Sequence, residues 1–581
     1  MTATPTASGL PLRVADFTSL SEALDYAAAG DTGYNFYDRK GGLRAVLGYR
    51  ALREDAEDLG RRLAALGLPR GAHIALMADT EPDFVRLFFA CQRVGLVPVT
   101  LPASPHVGSH DTYVAQLRRL LEHSRADVAI APGESLPFLQ EAARGVSLRF
   151  IGTPADLRAR PRYEAVVRPL GHDEVAYIQF TSGTTRVGRG VVVTQAALMA
   201  NLQGILGHGL AIGPEDRAVS WLPAYHDMGF VGFVLAPLAS QVSVDCLSPA
   251  DFVKRPLLWL TLISRGRGTI SFSPSFGYEL CARRLRAEDV ARLDLSSWRV
   301  AGVGAEMIRA DFLERFVGVL APAGFDPHAF LACYGMAECS LAISMAPLGK
   351  GLDVDEVDRR QLAEASIAVA AHDVHAGEPS AVTFVKCGTP LPGYEVEIRD
   401  ENGREVRERR TGVIFVRGAS VMSGYFADPE ATSEVLSADG WLDTGDIGYL
   451  ADGNIVITGR KKDLLIINGR NIWPQEIELI AEEEPDVRTA AAFASPGPQG
   501  EETAVVLVEC RQVDPAQRTA LVRRLQGAIV AQLGIQCAIE LVAPHTLPRT
   551  SSGKLSRGSA RAWFVEHRGP ASETPWPTSS R

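Results

Sequence analysis

From residue 17 to beyond residue 300, short apolar runs of strand length alternate with stretches whose apolar residues recur every three to four positions. That alternation restricts the chain to an α/β architecture with parallel sheets. Residues 17–30 and 49–67 read as helices. In the second, Leu52, Ala56, Leu59, Leu63 and Leu66 share one face, and Gly67 with Pro69 closes it. His73 to Ala78 reads as a buried strand, Phe84 to Val94 as the next helix, and Val97-Pro98-Val99 as the strand after it. At 581 residues the chain is too long for one core, so several domains are expected.

Near residue 382 the texture changes. Val382-Thr383-Phe384-Val385, Tyr394 to Ile398 and Gly412 to Val416 are short strands separated by Gly and Asn turns, and Asp452-Gly453-Asn454 marks another hairpin. A β-rich subdomain over about 382–458 is expected inside a large N-terminal domain, 1–460. Helices at 475–483 and 515–533 and strands near 504–510 and 538–542 form a small α+β C-terminal domain, 461–565. The Pro-, Ser- and Thr-rich tail, 566–581, reads as disordered.

A net charge of -10 gives no polyanion-binding surface, so nucleic acid is not an expected partner. The eight cysteines are scattered singly, without a C-x-x-C pair, which fits reduced thiols in a cytoplasmic protein. The N-terminus has neither a basic start nor an apolar run. The longest apolar stretch, Phe230 to Ala239, contains Pro237 and is too short to span a membrane.

The chemistry gathers at Thr181-Ser182-Gly183-Thr184-Thr185, which lies between Tyr177-Ile178-Gln179-Phe180 and Val191-Val192-Val193. Strand, turn, strand makes a hairpin tip whose N–H and hydroxyl groups can face phosphate. It lacks the Walker spacing. Further motifs follow in order: Trp221 to Gly229, including Tyr225-His226-Asp227-Met228-Gly229; Gly302-Val303-Gly304-Ala305-Glu306; Tyr334-Gly335-Met336-Ala337-Glu338; Gly440 to Asp446; Gly459-Arg460-Lys461-Lys462-Asp463; and Pro548 to Lys554. Together they resemble the adenylate-forming superfamily over about residues 15 to 560. The form of the His226 loop, the run Gly469 to Glu478 and the segment between Ser344 and Lys386 are most similar to its fatty acyl-AMP ligase branch.

That resemblance implies roles for ATP and Mg²⁺. Adenylation brings a carboxylate to the α-phosphate of ATP, an encounter of anions that needs positive charge and aligned dipoles. The Thr181 to Thr185 loop would hold the β- and γ-phosphates, and Gly304, Ala305 and Glu306 would border adenine. Tyr334 and Gly335 would present a flat surface to the same base. Asp446 and Arg460 would take the ribose hydroxyls. Glu338 would bind Mg²⁺, since magnesium prefers oxygen donors when it bridges phosphates.

Lys554 would reach between the substrate carboxylate and the α-phosphate. His226 would gate the carboxylate pocket rather than act as a base, because the acid is already ionised at neutral pH. Met228, Phe230 and Phe233, with His226 and Trp221, would line an apolar acyl tunnel, and Lys462 would be the hinge about which the C-terminal domain swings. The implied activity is adenylation of a fatty acid and passage of the acyl group to the phosphopantetheine thiol of an acyl carrier protein. A medium- or long-chain fatty acyl-CoA synthetase, which shares every residue of the first step, is the alternative.

Overall fold

The computed structural model describes residues 8–103, 110–181, 188–371, 381–467, 470–496, 502–549 and 555–568. Ser182, Gly183, Thr184, Thr185 and Lys554, and the tail from residue 569, lie outside the described residues.

Two largely parallel sheets form the body of the N-terminal part. Among the described residues the larger has nine strands, and its parallel centre runs Gly33–Tyr37, Ser243–Cys246, Arg217–Ser220, Ile270–Ser273, Val300–Val303, Phe330–Gly335. The second has seven. Phe150–Gly152, Val128–Ile130, His73–Met77, Val97–Leu101 and Val175–Phe180 are parallel, and Gly190–Thr194 folds back on the last as the expected hairpin. Val97–Leu101 is buried at every position, as a strand covered on both faces must be.

Local rules set the helices that cover these sheets. Helix Pro82–Val94 starts with proline in its first turn, where the lost N–H costs nothing, and ends at Gly95 with φ +75. Helix Tyr49–Ala64 packs against it so closely that a Cβ on Gly60 would stand 2.9 Å from the carbonyl oxygen of Ala90. Glycine is what permits that approach.

One polar group crosses the larger sheet. Asp245, on a central strand, accepts from Arg217 Nε at 2.9 Å on one neighbouring strand and from Asn35 Nδ2 at 2.8 Å on the other. All three side chains are buried, and each needs the others.

The β-rich region is a four-stranded antiparallel sheet of Tyr394–Arg399, Gly412–Gly418, Leu442–Ala451 and Asn454–Arg460. Its last hairpin turns through Asp452 and Gly453, both at positive φ, as a two-residue turn of the I′ kind demands. Strand Ala381–Val385, expected in this subdomain, pairs instead with Val354–Asp358, and helix Arg359–Ala365 follows that partner. The apolar face of the pair, Val357 and Phe384, still packs on Tyr449 and Val456 of the four-stranded sheet.

The C-terminal part has its own three-stranded sheet, Val487–Pro496, Glu502–Cys510 and Cys537–Val542, and its own apolar core. Helices Pro474–Glu482 and Pro515–Leu533 supply Ile477, Ile480, Leu521, Leu525 and Ile529 to that core. Strand Val487–Pro496 escaped the sequence reading because Ala490-Ala491-Ala492 carries little β preference. Pairing with Glu502–Cys510 along its length makes it a strand.

The aromatic run after His226 divides differently from expectation. Met228 and Phe233 line the large cleft described below, but Phe230 is fully buried in an aromatic cluster, with ring centroids 4.9 Å from Phe88, 5.2 Å from Tyr177 and 6.0 Å from Phe84. The helix that begins at Asp227 turns Phe230 inward, so it is core and not tunnel wall. Phe230→Ala should therefore cost about 3–5 kcal/mol in urea unfolding.

Candidate active site

The carboxyl ends of the parallel strands in the larger sheet open on a cleft of about 3100 Å³, the usual place for a ligand in an open α/β sheet. Strand Phe330–Gly335 delivers Tyr334, Gly335 and then Glu338. The chain after Val300–Val303 delivers Ala305 and Glu306, and the chain after Arg217–Ser220 delivers Trp221, His226 and Met228. The second sheet adds Gln179 and Thr181, the four-stranded sheet Asp446 and Arg460, and the C-terminal part Glu476, Glu482 and Arg549.

Two carboxylates are held at the junction. Asp446 accepts from the Tyr334 hydroxyl at 2.7 Å and pairs with Arg460 Nε at 2.9 Å. Burial and the Asp446 charge push the Tyr334 phenol far up, so it stays a donor, while Asp446 holds the Arg460 guanidinium firmly protonated. Glu338 is buried, and its Oε1 accepts from the Tyr425 hydroxyl at 2.8 Å. Desolvation raises its pKa above the ordinary range against the effect of that bond. The nearby Arg460 charge offsets that burial only in part.

Glycines and strained backbone shape the loops. A Cβ on Gly335 would lie 1.8 Å from the carbonyl oxygen of Leu341, so no larger residue fits that turn. Gly304 does not line the cleft. Its role is close packing, since a Cβ there would meet the Cys333 carbonyl oxygen at 2.7 Å. Ala305 has φ +69, an unfavourable conformation for alanine, and with Glu306 it faces the cleft. Glu306 accepts from the Phe276 N–H at 3.2 Å.

His226 Nδ1 lies 2.5 Å from Asp227 Oδ1, and both residues line the cleft. Lys462 also faces it, in the short turn Lys461–Asp463. Enclosure and the neighbouring Arg460 charge keep its ammonium below the ordinary lysine range. Arg549 and Leu555, the described residues that bracket Lys554, line the same cleft. Trp473, within the run Gly469 to Glu478, also lines it, as does Tyr425, which was not singled out from the sequence. Tyr425 is 87 residues from Glu338 on a different sheet, and no local pattern marks it.

The model of the AMP-binding enzyme family matches residues 34–426, and the chain belongs to that family. It is 46% identical over 566 residues to a Caulobacter vibrioides protein provisionally named an acyl-CoA synthetase, covering 97% of this chain and 98% of that one. It is 30% identical over 574 residues to JamA of Moorena producens, a medium-chain-fatty-acid–[acyl-carrier-protein] ligase, covering 95% and 96%. A solved structure from work on fatty acyl-adenylate ligases of E. coli and L. pneumophila superposes with a TM-score of 0.91 at 45% identity, over 96% of this chain and 99% of that one. The chain is thus an ATP-dependent acid ligase of the adenylate-forming fold, and among the described residues no helix is long and apolar enough to cross a membrane.

Removing the phenolic oxygen of Tyr334 leaves Asp446 buried with Arg460 and one donor fewer. Tyr334→Phe should lower unfolding stability by about 1–3 kcal/mol, and a thermal melt of the ligand-free protein checks it.

Proposed function

We propose that the protein is a fatty acyl-AMP ligase that passes its product to the phosphopantetheine thiol of an acyl carrier protein. The observation that carries the adenylation reading is the convergence of Tyr334, Asp446, Arg460 and the buried Glu338 in one cleft. Asp446 and Arg460 would take the ribose hydroxyls, Tyr334 the face of adenine, and the hairpin tip that begins at Thr181 the β- and γ-phosphates. His226 would border the substrate carboxylate.

Glu338 fits a magnesium ion that takes its other ligands from phosphate and water. It presents one buried carboxylate to the cleft, and among the described residues no group of three or more His, Cys, Asp and Glu gathers to form a protein-only cage. When bound, the ion would offset the charge of the phosphates. A carboxylate oxygen of the fatty acid then bonds to the α-phosphorus while the bond to the bridging oxygen breaks and pyrophosphate leaves. Lys554 would neutralise the charge that accumulates as the anions join.

The acceptor reading draws on the segment between Ser344 and Lys386. Arg359, at the start of its helix, forms an ion pair with Glu476 of the C-terminal part at 3.0 Å and donates to the Gln532 carbonyl at 3.4 Å. Glu476 is buried and its carboxyl is raised by that burial, so it depends on the arginine. A tether of this kind opposes the rotation about Lys462 that CoA thioester formation would use, which favours a carrier protein as acceptor. The second reading, a fatty acyl-CoA synthetase, is supported by the name of the 46% identical relative. Eight unpaired thiols, seven of them buried, support a cytoplasmic location.

Purified enzyme given ATP, Mg²⁺ and a fatty acid should release acyl-AMP, then acylate a holo carrier protein and leave CoA largely unmodified. Rapid acyl-CoA formation would favour the second reading. Lys554→Ala should lower fatty-acid-dependent pyrophosphate exchange by about two orders of magnitude, and near-normal exchange would remove the lysine from the mechanism.

A further inference from the structure

Arg557 is the first residue of helix Arg557–Arg568, three positions beyond Lys554. Its guanidinium holds two carboxylates that lie 79 and 94 residues away in the chain. Nε donates to Glu478 Oε1 at 2.7 Å and Nη2 to Glu478 Oε2 at 2.6 Å, a fork that fixes the plane of the group. Nη1 donates to Asp463 Oδ2 at 3.2 Å. The three side chains are between 10% and 18% exposed, so neither carboxylate has the water that could replace the arginine.

The three residues come from different parts of the machinery. Asp463 directly follows Lys462 in the turn Lys461–Asp463, and its charge also supports the protonated forms of Arg460 and Lys462. Glu478 lies on helix Pro474–Glu482 and accepts in addition from the Ala492 N–H, on strand Val487–Pro496, at 3.0 Å. Arg557 follows the segment that carries Lys554, and the described residues on either side of that segment are held together. Arg549 and Leu555 face each other in an antiparallel bridge, and the Ser556 N–H donates to the Pro548 carbonyl at 3.0 Å. Further along the helix, Ala560 and Phe564 are buried in one apolar cluster with Phe493, so Arg557 is anchored from its far side too. The lysine segment thus leaves and rejoins the fold at one point, and Arg557 joins that point to the residue just after Lys462.

We propose that Arg557 is a positioning residue for adenylation, which by tying Asp463 and Glu478 to the base of the lysine segment fixes where Lys554 meets the reacting groups; this rests on the role given to Lys554 above. In a swing about Lys462, Asp463 is the first residue to move. A guanidinium bound to that residue on one side and to helix Pro474–Glu482 on the other makes the turn, the helix and the lysine segment travel as one body. An ammonium on a four-carbon stem has wide freedom of its own, and a misplacement of about 1 Å costs about two orders of magnitude in rate. Arg557 acts through Lys554, since its Nε, Nη1 and Nη2 are all committed to the two carboxylates.

The test uses two full-length variants. Arg557→Lys keeps the charge and loses the fork, and Asp463→Asn breaks the link to the turn while leaving the fork on Glu478 in place. Each should lower kcat of fatty-acid-dependent pyrophosphate exchange by about tenfold, with KM for ATP and for the acid close to the parent's. Asp463→Asn is the milder change and decides the matter if a thermal melt shows that Arg557→Lys folds poorly. A double-mutant cycle separates positioning from a merely structural role: in the Lys554→Ala background either substitution should bring no further loss, because residues that act as one unit are not additive. Losses that multiply in the cycle, exchange at the parent's rate in both variants, or a rise in KM that accounts for the whole effect would each overturn the proposal. Near-normal exchange in Lys554→Ala alone shows instead that the lysine reading has failed, and the assignment of Arg557 falls with it.

Discussion

Two hydroxyl-to-carboxylate hydrogen bonds join three separate sheets around the cleft. Tyr334, on the nine-stranded sheet, donates to Asp446 on the four-stranded sheet, and Tyr425, on the edge of the seven-stranded sheet, donates to Glu338. The backbone reinforces the second junction, since the Met422 N–H donates to the Glu338 carbonyl at 2.7 Å. A buried carboxylate that loses such a donor keeps its desolvation cost, so each bond constrains how the sheets meet. The residues that hold the sheets together are thus ones that line the cleft.

The electrostatics of the two carboxylates differ. Asp446 is balanced by Arg460, which leaves it able to accept further hydrogen bonds from neutral hydroxyls. Glu338 has a hydroxyl donor and, among the described residues, no cation at ion-pair distance; burial raises its pKa although the nearby Arg460 charge lowers it. By contrast, the buried Arg217–Asp245–Asn35 group in the larger sheet has its charges matched inside the protein and does not extend the cleft's unbalanced charge. Matched charge marks a structural group here, and the carboxylate that burial leaves unfavourably charged lies on the cleft.

The C-terminal part contributes to the cleft without sharing the main core. Its apolar cluster is its own, and polar contacts such as Arg359–Glu476 and Arg309–Glu482, at 3.4 Å, connect it to the rest. Such contacts are specific ion pairs and not a shared apolar interior, so charge and geometry hold the C-terminal part against the cleft.

The amino-acid sequence alone determined the α/β class, the hairpin that begins beyond Val175, the turn at Asp452-Gly453 and the ordered motifs that hold Tyr334, Glu338, Asp446 and Arg460. All of these follow from periodicity, turn chemistry or short-range spacing, which are local. Only the tertiary structure decided that Phe230 belongs to the core while Phe233 faces the cleft, because a short helix fixes which side of it is inward. It also decided that Tyr425 holds Glu338 and that Ala381–Val385 pairs with Val354–Asp358. These are contacts between residues far apart in the chain or choices between two faces of one element. No pattern within a short window encodes them, since burial and partner are set by how the sheets and helices pack.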